Sequence, residues 1–346
     1  MSQPERASAE EAAETDQHQP PSRFRFLKSL GPGILSGLAD DDPAGVATYA
    51  IVGATTGYAQ LWLLVVATFI VQAVQVTSAR LGEATQCGVL RATRRRYGLA
   101  VAVVIGLIGI VANEATLMAD AAAVGVAFEL ITGLPWQWFV APTIVALFLV
   151  TVFLNFKRFS HVMMFIGLLL LSYVVTAFLA RPDWGLVLRS TVIPVLPRGL
   201  DQLRAAVALL GTTVSPYLIF WEAEGEKEDH RTLRQFSLAQ VDITVGFIAS
   251  DIVSFFIIVT TAATLFVNHQ SIQTAGDAAL ALRPLLGDSA EIIFALGLLA
   301  TGLVAIPFFA ITTGYIVANI FEWPRGLSRR FREARGFYAV IGASFL

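Results

Sequence analysis

The 346-residue chain is 55% hydrophobic and 14% charged, with a mean hydropathy of +0.67. Soluble domains carry about 25% charged residues, so this composition excludes an ordinary soluble fold and points to a membrane protein. A formal net charge of -2 excludes the basic surface that nucleic acid demands, and a single cysteine, Cys87, excludes an internal disulfide and a cysteine-built zinc site.

Residues 1–22 are rich in Glu, Ala, Gln, Ser and Pro, and read as a disordered acidic tail on the cytoplasmic side. They lack the basic start and short apolar core of a signal peptide. Hydrophobic segments follow near residues 27–55, 59–80, 100–131, 136–156, 161–180, 201–221, 239–267 and 289–321. A ninth begins near Gly336 and reaches Leu346, short of the roughly 20 residues a span needs, so the second half is expected to be truncated. With an inside N-terminus, all but five of the 24 lysines and arginines fall on the inside, the exceptions being Arg181, Arg189, Arg198, Arg204 and Arg283. That asymmetry predicts a multi-pass protein of the cytoplasmic (inner) membrane with its N-terminus inside.

Two of the spans are interrupted. The first contains Asp40-Asp41-Asp42-Pro43 with apolar sequence on both sides, and the sixth contains Thr212-Thr213-Val214-Ser215-Pro216. Pro43 has no amide hydrogen and disfavours helix at Asp42, which can then cap the half-helix that follows. Pro216 marks the second break. A carboxylate in mid-membrane costs roughly 2.5–3.5 kcal/mol on insertion scales, so it is kept beside water, a counter-charge or a cation. Asp41 and Asp40 point about 100° and 200° from Asp42 on a helix and are expected to line a vestibule or stay partly protonated. Glu222, Glu224, Glu226 and Glu228 read as a solvated inner loop, and Asp251 as facing the bundle.

The spacing of the breaks suggests an all-α, LeuT-like inverted repeat of five plus five spans. Residues 23–180 form the first repeat, 181–200 an outside loop, and 201–346 the second repeat, with spans six to eight and the start of nine. Each break strips partners from carbonyl oxygens, near Leu38 and Ala39 and near Gly211 and Thr212. Together with Asp42 and the hydroxyls of Thr212, Thr213 and Ser215 they favour a cation. No methionine or histidine lies in either break, so the donors suit Mg²⁺, Ca²⁺ or Mn²⁺ better than softer metals.

Gly31-Pro32-Gly33 followed by Asp42-Pro43 resembles the first span of the natural resistance-associated macrophage proteins, the NRAMP divalent-metal transporters. Their motif there is Asp-Pro-Gly-Asn, and their sixth span carries Met-Pro-His. Here the matching runs are Asp42-Pro43-Ala44-Gly45 and Ser215-Pro216-Tyr217, and Ala115-Thr116-Leu117-Met118-Ala119-Asp120 is similar to the family's Ala-Thr-Asp-Leu-Ala-Glu in span three.

The resemblance implies a metal ion held by Asp42 between spans one and six. It places carbonyl ligands at Ala39 and Thr212, the family's asparagine at Gly45 and its methionine at Ser215. Loss of the sulfur resembles the divergent NRAMP-related magnesium transporters, in which a partly hydrated Mg²⁺ would fit. The family's histidine becomes Tyr217, which cannot relay protons at neutral pH. A proton or water path is therefore expected to involve at most Asp120, Tyr217 and Asp41, and the stripe of Asn113, Thr116 and Asp120 reads equally as interhelical hydrogen bonding.

The expected function is import of a hard divalent ion by alternating access, weakly coupled or uncoupled to protons. An inside-negative 100 mV is worth about 4.6 kcal/mol to a divalent ion, which sustains roughly a thousandfold gradient without protons. The alternatives are a proton-coupled Mn²⁺/Fe²⁺ symporter and an amino-acid transporter of the same fold, whose substrate carboxylate Asp40–Asp42 would repel. Gly-x-Gly-Asp, Gly-x-Ser-Gly and His-Glu-x-x-His motifs are absent, which argues against an intramembrane protease. The expected partners are the divalent ion and the lipid bilayer. No cofactor beyond the transported ion, and no obligate protein partner, is expected.

Overall fold

The computed structural model describes residues 32–154, 156–228 and 236–346. The acidic tail and the basic residues Arg23, Arg25 and Lys28 lie outside the described residues, as do residues 229–235. The regular elements described are helical. The first span divides into α1 (Pro32–Asp40) and α2 (Pro43–Thr56). It is followed by α3 (Leu61–Thr85), a short basic helix α4 (Val89–Tyr97), α5 (Leu99–Thr132) and α6 (Gln137–Phe153). The fifth span runs through α7 (Phe156–Gly167), a tight turn at Leu168–Leu170, and α8 (Leu171–Leu179). After α9 (Trp184–Val192), the sixth span divides into α10 (Leu200–Thr213) and α11 (Pro216–Glu228). The remainder is α12 (Phe236–Thr261), which widens into a π-helical turn at Ala262–Phe266, then α13 (Ala275–Leu286), α14 (Asp288–Phe321) and α15 (Arg335–Ser344).

Among the described residues, six stretches are long and apolar enough to cross a membrane: Leu61–Thr85, Leu99–Thr132, Arg158–Leu179, Leu200–Gly225, Gln240–Phe266 and Ser289–Phe321. Gln137–Phe153 is apolar but shorter. The first span is divided by its break. Large apolar side chains face outward on α3 and α5, among them Phe69, Ile108 and Val111. Polar ones face inward, among them Gln75, Asn113 and Asp120. A bilayer rewards this arrangement: apolar surface meets lipid, and polar groups are kept inside the bundle.

α5 and α14 pack most extensively, and α12 lies against both halves of the broken first span. Glycines bring backbones close. A Cβ on Gly37 of α1 would collide with the Gly246 carbonyl of α12, and one on Gly82 of α3 with the Ala223 carbonyl of α11. Packing through small residues replaces the hydrophobic drive that lipid removes.

Two expectations change. The 181–200 segment is not a plain loop, because Asp183 caps α9 by accepting from the Gly185 and Leu186 amides at 2.9 and 3.1 Å. The sixth span does not end at Trp221: α11 continues to Glu228, and Glu222 and Glu224 are buried rather than solvated. Glu and Ala are good helix formers, so the chain stays helical beyond the apolar run. The carboxylates are met inside. Ser36 of α1 donates to Glu222. Arg325 Nε and Asn319 Nδ2 donate to Glu224 Oε1 at 2.9 and 2.8 Å. Pro307 leaves α14 a single assigned helix.

Candidate functional site

Both helix breaks are present, and they face each other. α1 stops at Asp40, and Asp42 has extended backbone (φ -71, ψ 164) before Pro43 opens α2. Asp42 Oδ1 accepts from the Gly45 amide at 2.5 Å, an N-cap with proline in the first turn. α10 stops at Thr213, and Pro216 opens α11. Tyr49 Oη and Thr213 Oγ1 lie 3.1 Å apart and join α2 to the end of α10.

A cavity of about 180 Å³ lies between the breaks and α5, lined by Asp42, Thr48, Asn113, Thr212, Ser215 and Tyr217 among others. It has room for several waters. Asp42 is 6% exposed and faces this space rather than the outer surface. Among the described residues, the lining contains no methionine, cysteine or histidine, and no group of three or more His, Cys, Asp or Glu is gathered to hold an ion.

The expected site residues divide into those on the cavity and those behind it. Asp42, Thr212, Ser215, Pro216 and Tyr217 line it. Gly45 sits just beside it: a Cβ there would lie 3.0 Å from Asp42 Oδ1 and 3.3 Å from Thr212 Oγ1. The Ala39 carbonyl, expected to lack a partner, accepts from Tyr217 Oη at 2.5 Å. The Thr212 carbonyl likewise accepts from Ser215 Oγ at 2.7 Å. Both carbonyls are thus at the breaks but already hydrogen-bonded.

Asp120 is fully buried behind Pro43, where its Oδ1 accepts from the Ala44 amide at 3.3 Å. Asn113 and Thr116 reach the cavity, and Asn113 Nδ2 donates to Thr313 Oγ1 at 3.3 Å, so that stripe does form an interhelical hydrogen bond.

Asp40 and Asp41 correct the vestibule expectation. They are 2% and 0% exposed, and Asp41 Oδ1 accepts from Ser254 Oγ of α12 at 2.5 Å. The bend at the break turns Asp41 toward α12 while Asp42 caps α2. Asp251, also on α12, is 6% exposed. Helical spacing alone could not locate this second polar side of the break, because Ser250 and Ser254 read as ordinary small residues in an apolar span. The buried Glu224–Arg325 pair was also missed; both residues read only as inner-face charges.

Paired broken helices around a polar cavity inside a bundle of membrane-length helices define a polytopic transporter of LeuT-like architecture. The profile of the Nramp family, natural resistance-associated macrophage protein-like, matches residues 33–346, and the chain belongs to that family. The divalent metal cation transporter MntH of Yersinia pestis (strain Pestoides F) is 29% identical over 295 residues, 83% of this chain and 72% of that protein. MntH of Pectobacterium carotovorum is 28% identical over 288 residues, 82% of this chain and 70% of that one. Among solved structures, a manganese transporter of Eremococcus coleocola, in complex with an aromatic bis-isothiourea compound, superposes with a TM-score of 0.78 at 18% identity, covering 94% of this chain and 77% of that one. The nucleobase-cation-symport-1 transporter Mhp1 shares the fold at a TM-score of 0.59 and 15% identity, over 91% of this chain and 71% of that one.

Proposed function

We propose that this protein imports a hard divalent cation, Mg²⁺ or Mn²⁺, across the cytoplasmic membrane by alternating access. The metal is cargo, not a resident cofactor. Asp42 is the principal ligand, placed by its N-cap role at the junction of α2, α10 and α11. Thr212 and Ser215 supply neutral oxygens, the Ala39 carbonyl becomes available when Tyr217 moves, and Gly45 leaves room for water.

The observation that carries this reading is one carboxylate facing a cavity between the helix breaks, beside the hydroxyls of Thr48, Thr212 and Ser215 and with room for several waters. A sparse set of hard donors favours an ion that keeps part of its hydration shell, as Mg²⁺ does. The relatives' names supply the divalent class, and a manganese transporter shares the fold. The N-terminus lies inside. Residues 23–180 and 201–346 act as opposed repeats on either side of 181–200, rocking about the paired breaks.

Proton-coupled symport is the second reading, favoured by Asp120, which is buried on α5 and accepts from the Ala44 amide beside the Asp42 cap. Reconstituted vesicles separate the two. Uptake of Mn²⁺ and Mg²⁺ is expected to proceed without acidification of the lumen and to fall at least tenfold in Asp42→Ala. Strict dependence on a proton gradient would establish the symport reading, and full activity of Asp42→Ala would move the site elsewhere.

A further inference from the structure

The second polar side of the first break lies where α12 packs on α1, α2 and α3. Asp41 leaves the end of α1 and meets α12, where Ser254 Oγ donates to its Oδ1 at 2.5 Å. Ser250 and Asp251 stand beside the same carboxylate. Ser250, Asp251 and Ser254 fall within about 100° of arc, so one side of α12 presents all three. Thr68 of α3 stands next to Asp251. The last helix, α15, packs chiefly on α14, away from this cluster.

Asp41, Ser250, Asp251 and Ser254 are all buried. Asp41 Oδ2, both carboxylate oxygens of Asp251 and Ser250 Oγ have no hydrogen-bond partner. Among the described residues, no lysine, arginine or histidine forms an ion pair with Asp41 or Asp251. Asp40 is buried too, with neither oxygen bonded, and adds to the negative field from the end of α1. Buried carboxylates without a counter-charge are costly at membrane depth.

We propose that Asp41, Asp251, Ser250 and Ser254 bind a monovalent cation, Na⁺, behind the first helix break. The unbonded oxygens select it. They come from two elements, yet lie beyond hydrogen-bond reach of one another, which suits ligands around an ion better than groups sharing a proton. Ser254 spends its hydrogen on Asp41, and Thr68 spends its own on the Leu64 carbonyl at 3.0 Å, so both hydroxyls keep lone pairs for a cation. α1 ends here, and the C-terminal ends of broken helices carry the partial negative charge that holds small cations. A divalent ion fits less well. Mg²⁺ keeps several waters and Ca²⁺ takes about six to eight oxygens. This cluster is closed to solvent, and among the described residues no three acidic side chains gather at one point.

The cargo site is a different one, since Asp42 lines the cavity with Thr212 and Ser215. The test of Na⁺ binding therefore stands whether or not the transport reading does. Asp41 and Asp42 are consecutive, so an ion on the first also steadies the turn that presents the second.

The full chain is purified in detergent at constant ionic strength, with choline, K⁺ or Na⁺ as the monovalent cation. Binding is read with radioactive sodium, and stability by thermal unfolding. The wild-type protein is expected to bind one Na⁺ and to unfold at a temperature that rises with Na⁺ and then saturates, with no such rise in K⁺. Asp251→Asn removes a charged ligand and should weaken Na⁺ binding about tenfold or more. Ser250→Ala should weaken it less. Asp42→Ala should keep the Na⁺ response, which separates this site from the cargo site.

In choline, Asp251→Asn should unfold at or above the wild-type temperature, because it neutralises an unpartnered buried charge; a lower temperature would mark the aspartate as merely structural and overturn the proposal. Equal unfolding in Na⁺, K⁺ and choline, or wild-type Na⁺ binding in both Asp251→Asn and Ser250→Ala, would overturn it as well. So would loss of Na⁺ binding in Asp42→Ala. Displacement of radioactive sodium from Asp42→Ala by micromolar Mn²⁺ would make this a divalent site, and stabilisation by acid with no sodium bound would assign the cluster to protons; either result sinks the Na⁺ assignment.

Discussion

Asp42 serves the fold and the proposed site at once. Oδ1 closes the first turn of α2 on the Gly45 amide, a role worth about 1 kcal/mol in helix capping. The same bond fixes the carboxylate at the cavity rim, in the position that the proposed ion site requires. Proline at the first helical position and a capping aspartate are local signals, and the Asp42-Pro43 pair was legible for that reason. Ser215 was legible as a position but not as a hydrogen-bond donor to Thr212, which only the folded break reveals. Replacing it tests selectivity. Ser215→Met removes that donor and adds a thioether, and softer ligands favour softer metals. The ratio of Cd²⁺ to Mg²⁺ uptake in competition should rise about tenfold, the worth of some 1.4 kcal/mol; an unchanged ratio would mean that this side chain does not face the ion.

Elements meet in ways that no local pattern announces. The run from Leu209 to Phe220 declared a broken helix, yet the length of α11 beyond Trp221 depended on partners far away. Glu224 and Arg325 are 101 positions apart, and each is nearly inaccessible to solvent. Together with Asn319 they fasten α11 to the end of α14. On the neighbouring side, Ser36 bonds Glu222 and joins α1 to the same helix. Removing one member of a buried pair strands the other charge, at about 3–5 kcal/mol, whereas removing both can be nearly neutral. Glu224→Ala should therefore lower the thermal unfolding temperature in detergent markedly. Glu224→Ala combined with Arg325→Met should recover most of the loss, and simple additivity of the two would show that the pair does not hold α11 in place.

At the scale of the molecule, hydropathy read well because the bilayer imposes a coarse and uniform rule. Membrane-length helices and the two helix breaks followed from it. The short helices α4, α9 and α13 did not, since amphipathic surface helices leave no membrane-length signal. The second polar side of the first break, where Asp41 meets Ser254, was also hidden, because it depends on how α12 packs against α1 and α2. A carrier moving a divalent ion alone transfers two positive charges per cycle. Inward current in proteoliposomes should rise with an imposed inside-negative potential and stay constant between equal and unequal pH across the membrane. A current that reverses with the pH gradient instead would assign the driving force to protons.

The phenol of Tyr217 rests on the Ala39 carbonyl, the oxygen proposed to meet the ion. A neutral hydroxyl thus spares a buried acceptor the roughly 1–3 kcal/mol of going unsatisfied. On the proposed alternating-access reading, such a bond helps the protein return without an ion. Tyr217→Phe should accordingly bind Mn²⁺ more tightly by calorimetry while turning over more slowly, the mark of a transporter that has lost its easy return.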